Sequence, residues 1–172
     1  MEAAPRLKMI ANCAVGVDNI DLTATAERGI LVSNTPGVLT EATADLTWAL
    51  ILAAARKVPQ ADRYAREGRF QGWELDLFLG KDLAGGRLGI IGFGRIGQAV
   101  ARRAAGFGME IVYSDPERQP AAIEAAIRAS WLPLDDLLRT ADVVTIHAAL
   151  TPGTRHLLSA GKIGLMKSDA IL

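Results

Sequence analysis

LGIIGFGRIGQAVARR, residues Leu88 to Arg103, decides how the rest of the chain is read. A short apolar run ends in three glycines spaced G-x-G-x-x-G, and good helix formers follow at once. Leu88 to Ile91 reads as a buried strand and Gln98 to Ala105 as a helix, which puts the glycines on a strand-to-helix turn. Each glycine has a separate physical task there. Gly92 allows the sharp turn, Gly94 lets the backbone approach a diphosphate with no side chain between, and Gly97 lets the helix pack closely on the strand. Unpaired amides at the helix start then face the anion. Phe93, Arg95 and Ile96 complete the segment expected against a dinucleotide.

Such a site also needs a group for the adenosine ribose at the tip of the next strand, about 20 residues on. Asp115 closes the run EIVYSD eighteen residues past Gly97, and the spacing fits. A carboxylate there accepts hydrogen bonds from both ribose hydroxyls and repels the extra phosphate of NADP, so NAD is favoured over NADP. Arg118 lies close enough to soften that preference. Asp115 would equally serve to start a turn with Pro116.

Outward from the motif, strand and helix signals alternate. Lys8 to Cys13 and Ile30 to Ser33 read as strands, with a helix from Asp21 to Arg28 between them and Gly29 as its left-handed C-cap. NTPG at Asn34 to Gly37 is a turn. A helix is expected from Thr40 to Lys57, with a threonine as N-cap, basic residues in the last turn and Pro59 ending or kinking it. An irregular connection spans Gly68 to Gly86. Strands are expected at Glu110 to Ser114 and Val143 to His147, helices at Pro120 to Ala129, Pro133 to Arg139 and Ser159 to Lys167, and one more strand opens at DAIL. Alternation of this kind implies crossover units and a parallel sheet with helices on both faces.

The totals exclude several classes. At 172 residues the chain has the size of one ordinary domain. A hydrophobic share of 50% and a mean hydropathy of +0.21 suit a buried sheet. Nineteen basic residues balance nineteen acidic ones, so no footprint for nucleic acid or an anionic membrane is visible. Cys13 is the only cysteine, which excludes an internal disulfide and a thiolate metal site and fits a reducing cytoplasm. MEAAPRLK lacks the apolar core of a signal peptide, and no run is long enough to span a bilayer. The protein is read as soluble, with no metal.

These residues together resemble the D-isomer-specific 2-hydroxyacid dehydrogenases, nearest their glyoxylate and hydroxypyruvate reductase branch. The likeness rests on AVGVDNIDL (Ala14 to Leu22), RGILVSNTPGVLTEATAD (Arg28 to Asp45), the stretch from Trp73 to Met109, and HAALTPGTRHLL (His147 to Leu158). It implies a Rossmann-type NAD-binding domain over residues 39–172, cut short at its C-terminal end, after a remnant of a flavodoxin-like substrate domain over 1–38. It also implies hydride exchange between a nicotinamide and C2 of a small 2-oxo or 2-hydroxy acid. The loop at Val15 and Gly16 would hold the substrate carboxylate, since successive amides in a turn form an anion nest. A tight turn in which Gly16 only supplies a positive φ accounts for the same residues. His147 and Ala148, at the edge where ligands gather in open α/β sheets, are expected beside the cofactor. The helix at 40–58 would form a homodimer contact, although an ordinary core helix has the same pattern.

The sequence departs from the family in one respect that matters for chemistry. The arginine, histidine and acidic residue that carry hydride transfer in the family lie beyond the segment matching LMKSDAIL, so no catalytic residue is assigned here. His156 is expected at the surface or a helix start, and Ala149 stands where a proline is common. The expectation is a fragment of such a dehydrogenase, inactive alone, because losing one preorganised donor already costs about a hundred- to a thousandfold in rate. The alternative is a non-catalytic NAD-binding module acting through a protein partner.

Overall fold

The computed structural model describes residues 3–172; Met1 and Glu2, which open the MEAAPRLK segment, lie outside them. Two separate parallel sheets are built. The first pairs β1 (Met9–Ala11) with β2 (Leu31–Ser33), joined by α1 (Leu22–Glu27). Asp21 caps α1 by accepting the Ala24 amide at 2.9 Å, and Gly29 leaves it with φ +64°. The helix ends where its first and last residues allow.

The second sheet has the order β5-β4-β3-β6, all parallel, from β3 (Arg87–Ile91), β4 (Glu110–Ser114), β5 (Ala129–Trp131) and β6 (Val143–Ile146). Its strands are apolar on both faces because helices cover both. Leu88, Ile90, Ile111, Tyr113 and Val143 face the cluster containing α4 (Arg95–Ala104), while Ile91, Val112 and Val144 face Leu137, Leu138 and Ala141 around α6 (Leu134–Thr140). Period-2 alternation along each strand thus feeds two cores, and each fully buried Leu or Ile contributes about 1.5–3 kcal/mol. α5 (Ala121–Ile127) joins the α4 side through Ile123 and Ile127. α7 (Ala160–Ile163) packs on α6, tied by the Lys162–Asp135 ion pair.

The chain crosses from β3 outward to β4 and β5, then returns to lay β6 on the other side of β3. That reversal leaves a crevice at the carboxyl ends of β3 and β6, where ligands bind in open sheets of this type.

Four local expectations are corrected. α2 (Thr40–Ala55) stops two residues early, has Leu39 rather than a threonine at its N-cap, and carries no basic residue in its last turn. Pro59 does not close the helical region but sits at the second position of a new helix, α3 (Val58–Arg66), after Lys57 turns left-handed at φ +55°. Proline is tolerated there because its missing N–H would be unpaired anyway. The segment Pro120 to Ala129 holds α5 and the start of β5, with Arg128 at φ +57° marking the break. α7 is a single turn, not a helix to Lys167; the DAIL segment then forms one parallel bridge, Ile171 to Val143.

α2 lies against α4. Ala44, Trp48, Ile51 and Ala55, one helical stripe, are buried. The Trp48 indole donates to the Val100 carbonyl at 3.0 Å and its ring stacks on Phe107 at 4.4 Å. Arg103 pairs with both Glu41 and Asp45. No helix among the described residues is long and apolar enough to cross a membrane.

Candidate functional site

The crevice is built around the turn from β3 to α4. Gly92 has φ +87°, open to glycine at little cost, and a Cβ on it would lie 2.6 Å from the Ala148 amide nitrogen. The turn is therefore wedged against the end of β6. A Cβ on Gly97 would lie 2.3 Å from the Gly92 carbonyl oxygen, so helix and strand meet as closely as backbone permits. Gly94 differs: nothing lies within 4 Å of where its Cβ would be. It heads α4 without a side-chain cap, so the first amides of a ten-residue helix face that open space.

Backbone bonds lock the turn to both neighbouring strands. The Gly92 amide donates to the Ser114 carbonyl at 2.9 Å and the His147 amide to the Ile91 carbonyl at 2.7 Å. Asp115, at the tip of β4, accepts the Phe93 amide on Oδ2 at 2.8 Å. Its other oxygen takes the Glu117 amide at 3.4 Å, so the carboxylate also starts the turn with Pro116. Phe93 presents only its backbone to the crevice; its ring is fully buried and stacks on Tyr113 at 4.2 Å.

Across the gap stands the loop from the small sheet. The Asn34 side-chain amide donates to the Val15 carbonyl at 2.9 Å and that of Asn12 to the Gly16 carbonyl at 2.8 Å. Gly16 is absent from the left-handed glycines, so a positive φ is not its purpose. Val15, Gly37, Thr40, Gly94, Arg95, Ile96 and His147 line one cavity of about 170 Å³ between the sheets. A larger hollow of about 670 Å³ lies away from it, beside α3, among Tyr64, Phe70, Trp73 and Phe78.

His147 is half-buried, with its Nε2 at 3.0 Å from the Thr145 hydroxyl. Burial pushes its imidazole below the ordinary value, favouring the neutral ring. His156 sits in an exposed turn at φ +57°, outside any helix. Arg118 is engaged elsewhere: it forms a two-pronged ion pair with Glu124 at 2.9 and 2.8 Å.

Sequence reasoning missed the residues that brace this frame. Gln98 holds the Phe93 carbonyl at 3.0 Å and Trp131 holds the Asp115 carbonyl at 3.0 Å. Both are ordinary helix or strand residues in pattern; only Asn34, inside NTPG, carries a signal, and that signal is one of turn chemistry alone.

The model for the "D-isomer specific 2-hydroxyacid dehydrogenase, NAD binding domain" matches residues 48–172. The chain belongs to this family. Among relatives of these dehydrogenases, the glyoxylate reductase of Thermococcus litoralis is 49% identical over 176 residues, covering 100% of this chain and 53% of that protein. The crystal structure of the TT0316 protein of Thermus thermophilus superposes with a TM-score of 0.89 at 51% identity, over 97% of this chain and 52% of that one. A D-lactate dehydrogenase of Aquifex aeolicus, solved with NAD and lactic acid, gives 0.84 at 32% identity, over 95% and 48%. The chain spans about half the length of the family members it matches.

Proposed function

We propose that these residues are the NAD-binding part of a D-2-hydroxyacid dehydrogenase that reduces a small 2-oxo acid such as glyoxylate or hydroxypyruvate. The observation that carries the reading is the Phe93 amide bond to Asp115, which brings the ribose-seeking carboxylate to the glycine turn. Gly94, Arg95, Ile96 and Gly97 would offer backbone amides to the diphosphate, while Gly92 and Phe93, whose amides are engaged by Ser114 and Asp115, shape the turn against it; Asp115 would take the adenosine ribose, and His147 and Ala148 the inner edge of the cofactor. The open face of Gly94 fits that role, since a diphosphate needs the space a side chain would fill. The nicotinamide, when bound, supplies the hydride delivered to C2.

Val15 and Gly16 would seat the substrate carboxylate on their amides, in a loop stiffened by Asn12 and Asn34. No side chain here is assigned to proton transfer: the His147 ring bonds Thr145 rather than a carboxylate. Residues 1–38 are assigned to the substrate domain and 39–172 to the cofactor domain. Leu46 and Leu50 are 59% and 62% exposed and line an apolar hollow of about 660 Å³ with Val144, Ile146, Ile171 and Leu172; the homodimer through 40–58 would bring apolar residues of α2 against a second copy. A reducing cytoplasm is the compartment this reading gives a chain with one exposed free thiol.

Titrating the 172-residue chain with NADH and with NADPH by fluorescence, alongside a glyoxylate reduction assay, tests this. NADH binding without turnover is expected. Preference for NADPH overturns the cofactor assignment, and turnover overturns the absence of a proton donor.

A further inference from the structure

Arg118 stands three residues past Asp115 on the turn leaving β4. A guanidinium there is the group that would welcome a phosphate on the adenosine ribose, because its planar fork matches phosphate oxygens. Its side chain is 66% exposed, yet it leans back onto α5, giving Nε and Nη2 to the two oxygens of Glu124. Glu124 is 11% exposed at its side chain and is held from the other side by the buried Tyr113 hydroxyl at 2.7 Å. That hydroxyl in turn accepts the Gln119 amide at 2.8 Å, which fixes the turn carrying Arg118. A charged group so placed stays only because it is fully partnered.

We propose that Glu124 is a positioning residue for cofactor selectivity: it holds Arg118 away from the ribose end and leaves the negative charge of Asp115 unopposed there. The proposal rests on the cofactor assignment above. Selectivity then depends on two carboxylates, one that faces the ribose and one that disarms the nearby cation. Neither role needs Glu124 to touch the nucleotide.

The test compares NADH and NADPH affinities of the 172-residue chain with those of Glu124→Ala, Glu124→Gln, Arg118→Ala and Glu124→Ala/Arg118→Ala, with circular dichroism to follow folding. Freeing Arg118 by Glu124→Ala should raise NADPH affinity relative to NADH on the order of tenfold, the value of one charge-assisted contact. The double variant should lose that gain, which a merely structural role of Glu124 does not explain. Arg118→Ala leaves the Glu124 carboxylate with the Tyr113 hydroxyl alone and should lower stability, which circular dichroism registers, but it should leave the NADPH-to-NADH ratio within about twofold of the parent. A larger fall in NADPH affinity in Arg118→Ala overturns the proposal, since Arg118 would then reach the phosphate already. Equal changes for both nucleotides in Glu124→Ala and Glu124→Gln overturn it as well. If the parent chain binds neither nucleotide, the cofactor assignment itself has failed.

Discussion

Oδ2 of Asp115 accepts the backbone amide of Phe93 at 2.8 Å, across 22 residues of sequence. Replacing Asp115 by Ala removes this bond together with the acceptor proposed for the ribose. NADH affinity should fall roughly ten- to a hundredfold, as expected for bonds to a charged group. Titration by NADH fluorescence measures it, and an unchanged affinity would remove Asp115 from the site.

Gly94→Ala and Gly97→Ala should behave differently although they sit on one turn. A methyl at Gly97 would meet the Gly92 carbonyl at 2.3 Å, and forcing helix and strand apart should cost about 1–3 kcal/mol in urea denaturation. At Gly94 it meets nothing, so the urea midpoint should stay put while NADH binding weakens. Loss of stability at Gly94 without loss of binding would contradict the assignment of that open face.

Trp48→Phe keeps an aromatic ring against Phe107 but leaves the Val100 carbonyl without its indole donor. That carbonyl keeps its own helical bond within α4, so the loss is that of one hydrogen bond, about 0.5–1.5 kcal/mol. Thermal unfolding should register the loss, and the docking of α2 on α4 is where it would act.

Asp142 should govern part of the acid limb of stability. Its carboxylate accepts Lys167 Nζ at 2.8 Å and the Arg87 amide at 2.8 Å, and the Lys167 bond foremost holds its pKa below the ordinary value. A carboxyl lowered on folding binds fewer protons in the native state. Its stabilisation is complete above the unfolded value of about 3.9 and is lost as pH falls through the folded one. Asp142→Asn should be less stable than the parent at neutral pH and lose less on further acidification below about pH 4. Parallel acid limbs for the two proteins would show that Asp142 is not a source.

Much of this frame was legible in the chain itself. Three glycines and an aspartate at fixed spacing name a turn and a strand tip, because their demands are backbone demands and backbone is what local sequence controls. β4 was placed to the residue. Less was legible where long-range packing chose the outcome. Pro59 signals an end as well as a beginning, and only the left-handed Lys57 decides that a second helix starts. β5 has three residues, too few for any period, and exists because β4 offers it an edge. In the sequence Arg118 reads as available, because charge and distance along the chain are visible there but not the partner six residues on that captures it.

The cavity at the crevice takes one wall from Val15 and the other from Gly94, Arg95, Ile96 and His147. Those walls grow from sheets that share no strand, and the chain passes between them through residues 34–39. A ligand lodged there would touch residues carried by both sheets, so the backbone of residues 34–39, which joins them, helps set the width of the cavity it occupies.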